Sequence, residues 1–312
     1  MFQFKNLKEL LIHFADERTC YAYLEQRLWT GRPVCPYCGC TKVYKTADFK
    51  RYKCSNKKHC NKKFTVLVGS IFEATKMPLS TWFAAIYLAT SHKKGISSCQ
   101  LARDMGITQK TAWFLLHRIR KMIEPHTEIV LDEQVQIDET YVKGEAKNRS
   151  IKTRKLISEG FKEDKPGIVL GMVNDERAVF KVVPNTERNT LRPIIENTLK
   201  DNNTLIVTDS APFYNTIEDN YKGRIIVNHS VYEYAVGPYH TNTVEGAFSW
   251  FKRCIFGTYH SVSKKHLQRY CTLFAYRYNT RKLTEYQRFD ISFEKTQNKL
   301  PYKKLIALPT AQ

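Results

Sequence analysis

The chain changes its hydrophobic rhythm along its 312 residues, and each rhythm predicts a different kind of element. Near the N-terminus Leu7, Leu10, Leu11 and Phe14 recur at helical spacing and predict a leader helix over residues 1–30. Residues 79–123 read as helical throughout. Trp82, Ile86 and Ala89 make one apolar face, and Ala112, Leu115, Leu116, Ile119 and Ile123 make a second one farther along. From about residue 131 the period becomes that of strands, with runs at 134–142, 167–173 and 178–183. A helix at 190–200, an apolar strand at 204–209, a short helix near 212–221, a strand at 224–227 and a helix starting near 242 complete a mixed α/β pattern.

Between the two apolar helical faces lies the layout of a helix-turn-helix. Ala102 is small enough for two helices to cross, Gly106 permits the turn, and Thr108 can cap the second helix. Gln109, Lys110, Trp113 and His117 fall on the outer side of that helix, where a recognition helix meets base edges, with Arg118, Arg120 and Lys121 close by. A helical hairpin that only packs a core is the plainer alternative. Residues 143–165 form a polar insertion with eight Lys/Arg and four Asp/Glu, read as a mobile or DNA-facing arm or as a solvated loop.

Composition sharpens this picture. The net charge of +20, from 50 Lys+Arg against 30 Asp+Glu, calls for a polyanionic partner, while 42% hydrophobic content supports a folded core. There is no apolar run of 18 residues, and the N-terminus lacks the apolar stretch of a signal peptide, so nucleic acid is expected in preference to a membrane surface.

The nine cysteines include one tight group. Cys35 and Cys38 have the two-residue gap of a zinc knuckle, with Gly39 allowing the turn behind them; Cys54 and Cys60 form a second, wider pair. Four thiolates would close a tetrahedral Zn²⁺ shell with no open position, which is a structural site. The wider second gap leaves His59 or Cys40 as substitutes for one ligand. Five scattered cysteines argue for reduced thiols and against a secreted disulfide framework.

Three acids carry the candidate chemistry. Asp138 sits inside the strand run at 134–142, Asp209 closes the run at 204–209, and Glu245 stands early in the helix starting near 242. Singly, a strand-end Asp starts a turn and an early-helix Glu complements the dipole. Together, two strand carboxylates and one helix carboxylate can converge at one sheet edge and hold two divalent cations for displacement at phosphorus. Mg²⁺ or Mn²⁺ suits such oxygen donors, with Asp138 placed to bridge two ions and Asp209 and Glu245 to take one each. His240 is placed to assist proton transfer, to contact phosphate, or to donate a hydrogen bond at the helix start.

The block at 240–253, continued by 257–260, resembles bacterial insertion-sequence transposases of the zinc-ribbon DDE group. Asp138-Glu139-Thr140-Tyr141 and Thr208-Asp209-Ser210 match the other acidic blocks of that family, and the zinc knuckle with the segment 69–79 matches its N-terminal half. The likeness runs from about residue 30 to 282. Together with the element pattern, the expected plan is a multidomain α/β protein: a leader helix at 1–30, a zinc ribbon at 31–68, a helix-turn-helix domain at 76–126, a ribonuclease H-like catalytic domain at 131–283, and a C-terminal tail at 284–312. The element order after residue 131 is also that of the ribonuclease H-like fold.

The activity implied is cleavage at the 3′ ends of a mobile element and joining of the freed 3′-OH to target DNA. Asp138, Asp209 and Glu245 would hold two Mg²⁺ or Mn²⁺ ions, with Asn242, one turn ahead of Glu245, competing for the third place because some related groups use an asparagine there, and one structural Zn²⁺ would sit on Cys35, Cys38, Cys54 and Cys60. The implied partners are the terminal inverted repeats and target duplex, bound by a homo-oligomer at the bacterial nucleoid in the cytoplasm, with no membrane. Lys252, two turns after Glu245 on the same helix face, and Arg253 are expected at element-end DNA; a solvated lysine is the alternative. A DNA-binding regulator that keeps the zinc ribbon and helix-turn-helix but has lost catalysis is the rival from another class.

Overall fold

The computed structural model describes residues 3–58, 60–125, 129–142, 151–159, 166–200, 203–215, 217, 221–296 and 299–307. The chain divides into two units, Met1–Glu124 with Lys282–Gln312, and Pro125–Arg281.

In the first unit, side-chain caps set the helix starts. Asn6 accepts the Glu9 N–H at 3.0 Å and opens α1 (Leu7–His13); Asp16 accepts the Arg18 N–H at 3.0 Å and opens α2 (Glu17–Trp29). The single leader helix expected over residues 1–30 is therefore two helices, because Asp16 gives the backbone a new cap where a continuous helix would have to run on. Three short antiparallel strands follow, β1 (Val43–Lys45), β2 (Tyr52–Cys54) and β3 (Lys63–Phe64), over a small core of Cys35, Tyr52, Cys54 and Phe64.

α3 (Leu79–Ser91) is buried along most of its length. α4 (Ser98–Met105) and α5 (Gln109–Met122) are capped by Ser97 and Thr108, and Gly106 at φ +63° makes the left-handed turn between them. Ala112, Leu115, Leu116, Ile119 and Ile123 are all buried, as their spacing predicts.

The segment expected as a tail is instead structural. Thr284 and Gln287 form a capping box at the start of α10 (Glu285–Ile291). Phe289 and Phe293 are fully buried, with ring centroids 5.7 Å and 5.2 Å from Phe83 of α3. Sequence position alone suggested a tail; aromatic burial makes it part of the core.

The second unit is built on a five-stranded mixed sheet. Its elements are β4 (Gln134–Val142), α6 (Ile151–Ser158), β5 (Gly167–Val173), β6 (Ala178–Val183), α7 (Arg188–Glu196), β7 (Leu205–Asp209), β8 (Gly223–Val227), the hairpin β9 (Ala235–Val236) and β10 (Tyr239–His240), α8 (Asn242–Cys254) and α9 (Lys264–Asn279). Strand order is β6-β5-β4-β7-β8, antiparallel from β6 to β4 and parallel from β4 to β8. One face packs Val142, Val169 and Phe180 against α8 and α9; the other packs Ile137, Leu170 and Ile206 against Leu191 and Ile195 of α7. The short helix expected near 212–221 is a 3₁₀ turn at Pro212–Tyr214, and part of its remainder lies outside the described residues. In the polar insertion, α6 is described, whereas 143–150 and 160–165 lie outside the described residues.

Gly171 positions α8. A Cβ there would come within 2.6 Å and 2.8 Å of Phe248, and Gly171 pairs directly with Asp138 across the β4–β5 ladder. The missing side chain lets α8 lie close over β5 at the residue paired with Asp138. Among the described residues no helix is long and apolar enough to cross a membrane.

Candidate active site

The parallel ladder brings the first two acids together. Gln134, Val135 and Gln136 pair with Leu205, Ile206 and Val207, so Asp138 and Asp209 follow at matching positions two residues on. Adjacent strands lie about 4.8 Å apart. Asp138 accepts the Glu139 N–H at 2.8 Å, and Asp209 accepts the Ala211 N–H at 3.1 Å as the chain turns away. Burial, then the neighbouring Glu139, and also Asp209 and Glu245, push the Asp138 carboxyl up to about 7.

Glu245 arrives on the first turn of α8. Its Oε1 accepts the Thr241 hydroxyl at 2.6 Å and lies 3.6 Å from His229 Nε2. With the Thr241 hydroxyl so engaged, the helix start is capped from the sheet. Gln136 Oε1 accepts the N–H groups of Thr243 and Val244 at 2.9 Å and 3.1 Å, and its Nε2 donates to Thr243 Oγ1 at 3.1 Å. Gln136 lies two residues before Asp138 on the same strand face, so one side chain sets the helix of Glu245 against the strand of Asp138. His240 also meets this group, its Nδ1 3.3 Å from Gln136 Nε2. Asn242, the first residue of α8, is exposed.

Glu139 points to the opposite sheet face, where it accepts the Tyr214 hydroxyl at 2.8 Å. Burial pushes its carboxyl up, and burial with the Glu139 charge keeps the Tyr214 hydroxyl protonated. This bond ties the turn after Asp209 to the strand of Asp138. Arg224 anchors the same end, donating to Thr208 Oγ1 at 2.8 Å and to the Asp209 carbonyl at 3.0 Å. Among the described residues no lysine or arginine forms an ion pair with Asp138 or Asp209, despite the net charge of +20. Oxygen donors without a protein cation fit a hard divalent ion.

In the first unit the Sγ atoms of Cys35, Cys38, Cys54 and Cys60 all lie within 4.8 Å of one another. Cys35–Cys60 at 3.6 Å and Cys38–Cys54 at 3.5 Å are close to the roughly 3.8 Å edge of a tetrahedron with Zn–S bonds of about 2.3 Å. Cys40 lies apart, its Sγ directed at Ser55 Oγ (3.8 Å) and the Lys42 carbonyl (3.5 Å), and is not the substitute ligand. His59 lies outside the described residues. No second group of three or more Cys, His, Asp or Glu donors is gathered this tightly among the described residues, so the acids are neighbours and not a closed cage.

Residues 115–279 match the ISXO2-like transposase domain, and residues 15–63 match the transposase zinc-ribbon domain. The chain belongs to the ISXO2-like transposase family. A similar protein, an uncharacterized protein in transposable element ISH50 of Halobacterium salinarum, is 30% identical, with 85% of this chain and 91% of that protein covered.

In this transposase the outer side of α5 is more crowded than its sequence predicts. Gln109 is exposed and donates to Ser98 Oγ at 2.9 Å, and Trp113 is partly exposed. The Lys110 ammonium lies 5.2 Å from the ring centre of Tyr302, in α11 (Tyr302–Ile306). His117, expected beside them, is fully buried, and Arg120 is 2% exposed. The assignment of His117 to an outward surface is corrected: the C-terminal half of α5 is enclosed on more sides than the apolar stripe alone implies. Arg118 is half-buried, its guanidinium 4.7 Å from the Trp82 ring. On α8, Lys252 is half-buried and Arg253 is exposed. The sequence reading missed Gln136, Tyr214 and His229, which sit between the acids and their supports; a polar Gln at an inward strand position was the one local signal.

Proposed function

We propose that this transposase binds the ends of its element, cleaves at the 3′ ends and joins the freed 3′-OH to target DNA, with Asp138, Asp209 and Glu245 holding two Mg²⁺ or Mn²⁺ ions. The observation that supports this most is the β4–β7 register, which sets Asp138 beside Asp209, with α8 fixed on β4 through Gln136. The strand order, a three-stranded meander joined to two parallel strands, agrees with a ribonuclease H-like core. A bound pair of divalent ions supplies an activated attacking oxygen and a stabilised leaving oxygen. The chain's own part is positional. Thr241 and His229 hold Glu245 Oε1, Ala211 holds Asp209, and the Glu139–Tyr214 bond keeps the two strand ends in step. Glu245 is the third ligand in this reading, since its carboxylate is held by Thr241 and His229 and its charge acts on Asp138.

The helices α4 and α5 serve as a helix-turn-helix, with Gln109, Lys110 and Trp113 toward DNA, while Lys252 and Arg253 contact the element end. One Zn²⁺ on the four cysteines holds the small ribbon together, since its own apolar core is slight. Duplexes carrying the DNA that flanks the gene test the enzyme against the non-catalytic regulator. Purified chain is expected to nick them at the element 3′ ends with Mg²⁺ or Mn²⁺ and to bind without cutting in Ca²⁺. End binding with no cleavage under any divalent metal would establish the regulator instead.

A further inference from the structure

Between β8 and the β9–β10 hairpin, the surface exposes large apolar side chains next to the acids. Val231 is 65% exposed, Tyr232 83% and Tyr234 56%. Tyr232 also holds φ at +59°, a left-handed conformation that costs a tyrosine energy. Aromatic surface gathered in water in this way marks a contact site.

The segment is fastened to both acid-bearing elements. Ser210, next to Asp209, meets Asn228 Oδ1 through its hydroxyl at 3.5 Å. His229 Nε2 lies 3.1 Å from Thr241 Oγ1 and 3.6 Å from Glu245 Oε1, and its ring meets Tyr234 edge-on with centroids 5.4 Å apart. The N–H groups of Val231 and Glu233 both donate to the Asn228 carbonyl, folding the segment into a tight turn. The two tyrosines are thus held within a few residues of side chains that touch Glu245 and the Asp209 turn.

Charge says what kind of group would rest there. From Asn228 to His240 the sequence has no Lys or Arg and one acid, Glu233, in a chain of net charge +20. A phosphate backbone is met by cations, which this stretch lacks. A nucleobase offers a flat π-face that a tyrosine ring can cover without charge. A contact between two copies would use the exposed rings equally well, but gives no reason for fastening them to Asp209 and Glu245.

We infer that Tyr232 and Tyr234 form a stacking platform for unpaired nucleobases of the DNA strand presented to Asp138, Asp209 and Glu245. The inference rests on the transposase reading. A phosphodiester drawn out of a duplex end toward the acids leaves its flanking bases without their stacking neighbours, and the tyrosine rings replace them.

The test uses the full chain in Ca²⁺, with a fluorescent duplex that is fully paired and one of the same sequence with a few unpaired nucleotides at its end. Wild-type protein is expected to prefer the frayed duplex by about 5- to 150-fold, the range that stacking one base on an aromatic ring supplies. The pair Tyr232→Ala and Tyr234→Ala should abolish that preference and leave binding to the paired duplex unchanged. Tyr232→Phe with Tyr234→Phe should keep it, because only the rings are needed, and also shows that the segment folds.

Absence of any preference in the wild type, or its persistence in the alanine variant, would overturn the inference. An alanine variant that keeps the preference but loses self-association in sedimentation would make the patch a contact between copies. Wild-type chain that cuts element ends but ignores fraying removes this inference alone. Chain that binds neither duplex removes the transposase reading with it.

Discussion

At Asp138, burial and three neighbouring acids hold a carboxyl near pH 7 that would ionise near 4 in an unfolded chain. In metal-free protein the native state therefore keeps a proton between about pH 4 and 7 that the unfolded state has released. Stability is full below that window and declines as pH rises through it. Asp138→Asn, which removes the charge but keeps the shape, is expected to raise the metal-free Tm at pH 7.5 by roughly a few degrees and to flatten its decline from pH 5 upward. Scanning calorimetry checks this, and a wild-type Tm that climbs over the same window would contradict it. The grouping of the paired cysteines was legible from their type and local spacing, and the strand and helix settings of the three acids from the apolar runs around them. His117 was not, because the apolar stripe of α5 marks one buried side and gives no sign that the helix is enclosed on another as well.

Among the elements, β4 organises the second unit: it pairs with β5 and β7, carries Asp138 and Glu139, and caps α8 through Gln136. Gln136→Leu is expected to leave end binding intact, lower cleavage by about 10- to 100-fold, as loss of a support behind a metal ligand typically does, and raise the Mg²⁺ needed for half-maximal rate. Gln136→Glu, which still accepts both helix N–H groups, should recover part of the rate. Equal metal dependence in wild type and Gln136→Leu would make Gln136 a packing residue only. The strands of the sheet were readable from their alternation and apolar runs. The cap was not, since Gln136 and Thr243 meet only after the sheet and helix have assembled. Asp16, which splits the N-terminal helix, and Thr284, which starts α10, show how a single polar cap outweighs the apolar spacing around it.

For the whole molecule, the compact units do not follow the linear domain plan. Residues 282–312 belong with the N-terminal unit, and Phe289 and Phe293 lie fully buried beside Phe83. Truncation after Arg281 is expected to unfold that unit, with loss of DNA binding and of its calorimetric transition, since removing one buried Phe alone costs about 3–5 kcal/mol. Retention of a native transition would show the segment to be dispensable. Membership of the transposase family follows from residues 115–279 and 15–63, and the net charge of +20 suits a DNA partner. The proposed chemistry rests on Asp138, Asp209 and Glu245 acting as one site. The most direct measurement is Mg²⁺-dependent 3′-end cleavage by Asp138→Ala, Asp209→Ala, Glu245→Ala and Asn242→Ala, each checked for end binding. The three acid variants are expected to bind as the wild type does and to lose on the order of 10³-fold or more in cleavage, with Asn242→Ala milder. Glu245→Ala that still cuts while Asn242→Ala does not would contradict the assignment of Glu245 as third ligand.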